Sequence, residues 1–506
     1  PSLHTNMVLN GPIFNTELNR ANANQDRQIY PVISPGPEPG TSELTLNVKD
    51  RLPLHAKLEF NNQNSPGTPD LRVNGSAVYD NLWQREHSLG MQYGFSPETY
   101  KQGDQWNRYD QPIVAYYSAF YRLPLGNPEP IENMVANNPG SFGYNEATRQ
   151  FHLPPPSGQP ELTLYANRAT IDTGLETSPL QTLDTNLTQQ TFHQDLTINE
   201  AVGVQLTKPL PEIGGVRSSL SSGLDYKVYS LTSYGTNIFT STSLITNNNQ
   251  AFGTTNTVLS PIPTTASALD YLPLSLNYSA SFQDAFGPAT CGLGLSANLW
   301  SSSLFSTTSG SVVISTNNGV PQTNFVTTTT SAHGDAALAN ITGSSKSTGH
   351  WVILRPSFSQ EIDFHTNWVT TFRADGQWAS EPLISVEQFG AGGVNSVRGY
   401  HEGEVFGDTG WHVSLEQQTP PLVVGDVYDG APLTVRGSAY MDYARVYLLD
   451  PQGRQGSTPL WGTGFGFSAS AGSHWQAQFL FSWPLLSAGT VPAYQPFFNF
   501  ALTAQF

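Results

Sequence analysis

The segment Trp475–Trp483, WQAQFLFSW, decides the fold of this chain. Apolar side chains occupy every second position from Trp475 to Trp483, and Gln476, Gln478 and Ser482 lie between them. A period of two places successive side chains on opposite faces of a strand. The segment is therefore predicted to be a β-strand with one apolar face and one polar face.

The same alternation recurs over about 450 residues, which a single soluble β-sandwich seldom sustains. It is clear in Leu54–Phe60, Leu89–Phe95 and Trp461–Phe467. Tryptophans stand at strand ends, as aromatic residues do in the girdles of membrane barrels; they are Trp83, Trp411, Trp461 and Trp483. The pattern predicts an all-β fold, a transmembrane β-barrel.

Composition narrows the class of protein. Of the 506 residues, 38% are hydrophobic and only 12% are charged, so neutral polar residues supply the polarity. The net charge of −17 argues against a nucleic-acid partner, which would need a basic surface. No run of about 18 apolar residues exists to form a transmembrane helix. The single cysteine, Cys291, excludes a disulfide scaffold.

The first fifty residues differ from the rest. A helix is predicted to start at Pro12, because Ile13, Phe14 and Leu18 have helical spacing. Two strands follow, Ile29–Ser34 and Glu43–Val48, joined by a turn rich in proline and glycine. Such a unit is too small to bury a core of its own. The predicted division is an N-terminal segment, 1–52, and a barrel, 53–506.

A glycine-rich segment interrupts the strand pattern. Gly390–Tyr400 reads GAGGVNSVRGY, and Gly407–Trp411 reads GDTGW. Arg398 is the one charged residue of the first stretch and lies among glycines that give no strand pattern. We expect a loop here, with Arg398 near its tip.

The tetrapeptide Val397-Arg398-Gly399-Tyr400 resembles the loop signature of the Omp85/TpsB superfamily of outer-membrane translocation and insertion proteins. The resemblance implies a barrel of about 16 antiparallel strands and an inward-folded loop, 390–411. Residues 35–48, PGPEPGTSELTLNV, are similar to the end of a POTRA α/β domain. This similarity implies that 1–52 is the C-terminal part of such a domain, with its front outside this sequence.

Asp442 is the expected partner of Arg398. Alternation places Arg436, Ser438, Tyr440 and Asp442 on the polar face of one strand. In the family, an acid on such a strand, patterned aromatic-x-Asp-x-Gly, holds the loop arginine; here alanine replaces the glycine. We predict an Arg398–Asp442 ion pair in the lumen, with Glu416 as the alternative partner. A solvated Arg398 is the remaining interpretation.

The last strand resembles the C-terminal signal that the outer-membrane assembly machinery recognises. Four apolar side chains share one face there: Phe498, Phe500, Leu502 and Phe506. Residues about 230–350 are rich in Ser, Thr and Asn, so we expect solvated loops or strand extensions above the membrane.

No enzyme motif is present, and the histidines lack metal-ligand spacing. We therefore expect no catalytic residue, metal site or cofactor. The resemblance implies a TpsB-type pore in the outer membrane of a Gram-negative-type bacterium. Its partners would be lipid, the assembly machinery and a large β-rich exoprotein captured by a periplasmic POTRA part. The alternatives are an assembly factor of the BamA/TamA kind and a passive porin or structural surface barrel.

Overall fold

The computed structural model describes residues 8–22, 26–98, 113–126, 142–173, 176–178, 180–184, 186–247, 250–317, 320–364, 367–428 and 431–506. Within these residues the chain is almost entirely β-structure. The helices are Gly11–Ala21 and Asp335–Thr342, and neither is long and apolar enough to cross a membrane.

Sixteen of the described strands form one closed antiparallel barrel, as predicted. Each strand pairs with its neighbours in chain order. The strands are β1 Leu54–Asn61, β2 Arg72–Leu82, β3 His87–Phe95, β4 Val114–Pro124, β5 Glu161–Asp172, β6 Leu187–Ile213, β7 Val216–Asn247, β8 Gln250–Gln283, β9 Pro288–Asn317, β10 Val352–Asp363, β11 Val369–Ala379, β12 Thr409–Gln418, β13 Ala431–Tyr447, β14 Ser457–Ala471, β15 Trp475–Pro484 and β16 Phe497–Gln505.

The barrel closes where β1 pairs with β16, from Lys57 opposite Gln505 to Asn61 opposite Ala501. Beyond β1, the side-chain amide of Asn62 continues the ladder. Its Nδ2 donates to the Phe498 carbonyl, and its Oδ1 accepts from the Phe500 N–H, both at 2.8 Å. One side chain therefore replaces a backbone bridge at the seam. The barrel end where β1 begins is called the N-terminal rim, and the opposite end the loop rim.

The two faces of the wall differ as alternation predicts. Side chains of the apolar set point outward and remain exposed: Leu58, Met91, Phe467 and Leu502 are each more than 40% exposed. Exposed tryptophans lie near both rims, with Trp83, Trp368 and Trp475 at the N-terminal rim and Trp378, Trp411 and Trp461 at the loop rim. This is the lipid belt with two aromatic girdles of a transmembrane barrel.

Strands β6 to β9 are far longer than a membrane crossing, which takes about 9–11 residues. They contain 27, 32, 34 and 30 residues. The excess extends past the loop rim, and Val320–His333 adds another strand beside β9. Of the two predicted forms of the Ser/Thr/Asn-rich region, the strand extensions are the correct one.

The N-terminal segment consists of the helix Gly11–Ala21 and a hairpin of Arg27–Pro35 with Ser42–Asp50. The strands lie where the sequence predicts them and extend a little further, whereas the helix begins at Gly11 and ends at Ala21, before the predicted end near Asn24. Arg27 contacts Glu86 in the β2–β3 turn at 3.5 Å, and His55 Nε2 lies 3.2 Å from Asp26. These contacts hold the segment against the N-terminal rim.

Candidate functional site

A long connection between β11 and β12 folds back into the barrel. We call residues 380–408 the luminal loop. It contains a short ribbon, Phe389–Ala391 with Val405–Gly407, and the Val-Arg-Gly-Tyr sequence lies at its far end. The predicted segment 390–411 runs too far at its C-terminal end, because residues 409–411 begin β12. They pair with both β11 and β13 there, so the strand continues through them.

The base of the luminal loop is fixed by Asp408, the acid of the Gly-Asp-x-Gly sequence. Its Oδ1 accepts from the Leu383 N–H at 2.9 Å and from Gln388 Nε2 at 3.0 Å. Its Oδ2 accepts from the Leu449 N–H at 2.9 Å, beyond the end of β13. Asp408 is buried, so these three bonds tie the start and end of the loop to the wall.

Arg398 and Asp442 form the predicted ion pair. Arg398 Nε donates to Asp442 Oδ2 and Nη2 donates to Oδ1, each at 2.7 Å. The Arg398 N–H also donates to Oδ2, at 3.1 Å. The Asp442 side chain is 0% exposed and that of Arg398 is 7% exposed. A two-pronged bond between buried charges fixes both the position and the orientation of the loop tip.

Glu416, predicted as the alternative partner, binds the same arginine at the same time. Its Oε2 accepts from Arg398 Nη1 at 2.5 Å, and Ser414 bridges to Asp442 Oδ1 at 2.7 Å. The Tyr440 ring covers the guanidinium, with Arg398 Cζ 3.6 Å from the ring centroid. Burial lowers the pKa of Arg398, but Asp442 and Glu416 outweigh it, so the pKa lies above its ordinary value. The arginine is a permanent cation between two acids.

The other residues of the tetrapeptide also contact the wall. Val397 and Tyr400 are buried, and the Tyr400 hydroxyl donates to the Leu486 carbonyl at 2.6 Å. Gly399 has φ 99°, a conformation that favours glycine, and its Cα lies against Pro484. Gly462 on β14 is equally constrained, because a Cβ there would overlap the Arg398 carbonyl.

A second ion-pair cluster, missed by the sequence analysis, holds the first part of the loop. Glu387 accepts from Lys227 Nζ at 2.8 Å, from Tyr271 at 2.9 Å and from Arg355 Nη2 at 3.2 Å. Burial by itself raises the pKa of Glu387. The two cations lower it by more than burial raises it, so the pKa is about 2. The signal was weak, because the cations lie on β7 and β10, 160 and 32 residues away in the chain.

Another element in the lumen was not predicted. Strands Gly143–Asn145 and Gln150–His152 pair as a small hairpin, here called the luminal hairpin. It belongs to the β4–β5 connection, whose ends meet at the N-terminal rim through a 2.7 Å bond from the Leu125 N–H to the Pro160 carbonyl. Tyr144 stacks on Tyr116 of the inner wall, with ring centroids 5.4 Å apart. The hairpin and the luminal loop enter from opposite rims and meet inside.

Together these elements divide the lumen into two cavities of about 750 and 420 Å³. Tyr144 and His152 of the hairpin line both cavities. Loop residues Asn395 and Glu402 line the larger cavity, and Glu387 lines the smaller one. The remaining walls are mostly neutral polar side chains.

Among the described residues, one group could hold a cation. Asp26, His55 and Asp80 converge at the N-terminal rim, with their candidate ligand atoms within 4.8 Å of one another. They come from three separate elements, so sequence spacing did not group them. The Asp26–His55 contact also accounts for the burial of Asp26.

The four apolar residues of the terminal strand lie on the outer face of β16. Phe498, Leu502 and Phe506 are exposed, and Phe498 stacks on Phe479 of β15 with centroids 6.4 Å apart. Phe506 closes the ladder at the N-terminal rim, where its N–H donates to the Ala56 carbonyl at 2.8 Å.

Comparison with known proteins agrees with this architecture. The model of the family "Haemolysin secretion/activation protein ShlB/FhaC/HecB" matches residues 293–469, which include the luminal loop and Asp442. CdiB from Escherichia coli is similar in structure, with a TM-score of 0.57 and 15% sequence identity over 100% of this chain and 72% of that chain. CdiB from Acinetobacter baumannii gives a TM-score of 0.49 at 12% identity over 96% and 67% of the two chains. No curated protein sequence matches this chain.

The closed sixteen-strand barrel, with a loop folded into its lumen, has the fold of an outer-membrane β-barrel. The family match adds a resemblance: residues 293–469, less than half of the 506-residue chain, are similar to the haemolysin secretion/activation family ShlB/FhaC/HecB.

Proposed function

We propose that this barrel exports one large β-rich partner protein across the outer membrane, as the pore of a two-partner secretion system. The observation that carries the proposal is the buried bond of Arg398 to Asp442 and Glu416. A loop tip held by buried ion pairs inside a polar lumen suits a pore that must stay closed until its substrate arrives. A passive porin does not require a loop tip held by buried ion pairs.

Transport then requires the luminal loop to leave its seat. Because the arginine is held by two acids, displacement must be coupled to a favourable step, which we assign to substrate entry. An extended chain would thread through walls of Asn, Gln and Ser side chains, which offer hydrogen bonds without strong ionic attraction. No cofactor and no nucleotide takes part in this scheme.

We assign residues 1–52 to the C-terminal part of a POTRA domain and 53–506 to the barrel. The N-terminal hairpin would lie in the periplasm, where a strand of the unfolded substrate could add to its edge. Each strand of a two-stranded ribbon has an unpaired edge, and most side chains of Ser42–Asp50 are exposed. The loop rim and the extended strands β6–β9 would then face the cell exterior.

Membrane lipid and the assembly machinery complete the set of proposed partners. The outward apolar face would contact lipid. Phe498, Phe500, Leu502 and Phe506 would present the terminal-strand signal during insertion. Replacing Phe506, which is 65% exposed, with alanine should lower the yield of folded barrel in membranes. Met91→Ala, an exposed site on β3, is the matched control; equal loss in both variants contradicts a terminal signal.

Export is tested by deleting the gene and re-expressing wild type or Arg398→Ala. We expect deletion to abolish secretion of one large β-rich protein, wild type to restore it, and Arg398→Ala to fail. Depletion of many outer-membrane proteins would instead indicate an assembly factor. A change in permeability alone would indicate a porin, and either result would overturn the proposal.

A further inference from the structure

The luminal hairpin contacts the luminal loop through its turn, Glu146–Arg149. The Ala147 carbonyl lies where a Cβ at Gly390 or Gly403 of the loop would be. Arg149 lies over the Phe406 ring, with Cζ 3.9 Å from the centroid. Among the described residues no carboxylate is within ion-pair distance of Arg149, so this ring is its main partner. The turn therefore fits against the loop ribbon.

The hairpin is itself clamped to the wall by a buried ion pair. Glu146 accepts from Arg72 Nε at 2.6 Å and Nη2 at 3.0 Å, and from the Tyr116 hydroxyl at 2.9 Å. Arg72 and Glu146 are 1% and 6% exposed. Breaking one half of such a pair strands the other charge in the lumen.

The β1–β2 connection joins the two luminal elements on a third side. The Ser65 hydroxyl donates to Glu146 at 3.2 Å. Next to it, the Asn64 carbonyl accepts from the Glu402 N–H at 3.0 Å, and His401 Nδ1 lies 3.1 Å from Asn64 Oδ1. Hairpin, loop and this connection thus share one contact region, so movement of one element removes contacts from the others.

We propose that the luminal hairpin is a second gate, and that Glu146 and Arg149 are positioning residues that keep the luminal loop in its closed seat. The proposal rests on the transport function proposed above. It is supported by the place of the hairpin between the two luminal cavities, because Tyr144 and His152 line both of them. In its seated position the luminal hairpin lies between the two cavities. When the hairpin and the luminal loop are released together, one continuous lumen is left for the substrate chain to cross.

Single-channel recording of the full chain in planar bilayers tests the gate without any substrate. Arg149→Ala removes the cation–π contact with Phe406 without touching the Arg72–Glu146 pair, and we expect a severalfold rise in mean conductance. Arg168→Ala is the control, because Arg168 pairs with Glu200 on the outer face of the wall and is 53% exposed. Equal conductance of wild type, Arg149→Ala and Arg168→Ala overturns the proposal.

A charge exchange tests the clamp. Glu146→Arg places two arginines together and should raise conductance, whereas Arg72→Glu combined with Glu146→Arg should return it to the wild-type value. A double variant that conducts like Glu146→Arg alone overturns the role of the pair. Heat-modifiable mobility on gels verifies that each variant forms a barrel.

Cysteine labelling tests whether loop and hairpin move together, and does not depend on a variant of the clamp. Thr148→Cys is introduced at the hairpin turn in a Cys291→Ser background, and a maleimide is added to reconstituted protein. We expect Arg398→Ala to increase the labelling rate severalfold, because the loop no longer covers the turn. An unchanged rate overturns the coupling. These readouts remain decisive even if no secreted partner is found, so the gate and the export function can fail separately.

Discussion

The Arg398 carbonyl occupies the space that a side chain at Gly462 would fill. The loop tip therefore lies directly against the backbone of β14, in a place that only glycine leaves open. This close approach brings the arginine head to Asp442, on the neighbouring strand β13. Ion pair and steric fit depend on each other, and each can be tested separately.

Gly462→Ala should unseat the loop while leaving every charge in place. Overpacking of this kind costs about 1–3 kcal/mol. We expect higher conductance and weaker secretion than in wild type. Gly425→Ala is the control, because a Cβ at Gly425 meets no atom within 4 Å. Wild-type behaviour of Gly462→Ala would show that the loop tip does not need this contact.

Arg398→Ala leaves Asp442 buried without its counter-ion, which costs about 3–5 kcal/mol in comparable sites. Asp442→Ala should have a similar effect, and the double variant should be no worse than either single one. Glu416→Gln should be milder, since Glu416 is 15% exposed and makes one bond to the arginine. Conductance and secretion both report the result. The pairing would be contradicted if the double variant lost as much secretion as the two single variants added together. Wild-type behaviour of both single variants would contradict it as well.

Seating of the loop should weaken as pH rises from 4.5 to about 7, because of Glu402. Burial raises the pKa of Glu402 to about 7, with a further rise from Glu146, while the Val394 N–H and Arg72 lower it. Released, Glu402 ionises near pH 4.5, its ordinary value. Below that pH Glu402 is protonated whether the loop is seated or released, so the seated state has no free-energy penalty. Between pH 4.5 and about 7 the free-energy penalty of seating the loop grows, and above about 7 it has its full value.

The measurement is channel open probability from about pH 5 to about pH 8.5, which should rise with pH up to about 7 and then level off. Glu402→Gln should remove most of this dependence and favour the closed state. The other charged or titratable groups that line the same cavity are unchanged in this variant; they are Lys57, Glu59, Arg72, Glu146, His152 and Arg436. A pH profile identical to wild type would exclude Glu402 as the titrating group.

Glu387 should act in the opposite direction. Its pKa of about 2 lies below the ordinary 4.5, so its contribution is present above pH 4.5 and is lost as pH falls towards 2. Glu387→Gln should loosen the first part of the loop at neutral pH, because Lys227 and Arg355 lose their shared acid. Glu361→Gln is the control, because Glu361 lies at an exposed position on β10, the strand that carries Arg355. Equal conductance of the two variants would contradict this second anchor.

Local alternation was enough to predict the barrel, its two faces and the burial of Asp442, because a period of two depends only on neighbouring residues. It could not decide between Asp442 and Glu416, and the structure uses both. The luminal hairpin escaped notice since its strands have three residues each, too few to show a period. Its clamp joins Arg72 to Glu146, 74 residues away.

The side-chain amide of Asn62 bonds to Phe498 and Phe500, which lie 436 and 438 residues later in the chain. This long separation has a consequence for the order of folding. Hairpins between successive strands join residues close in sequence and can form early, whereas this seam needs both ends of the barrel chain. Bringing such distant segments together is the slow, entropically costly step. The two edge strands therefore stay unpaired until the last residues have been made, and through that interval the nascent chain depends on being kept from aggregation.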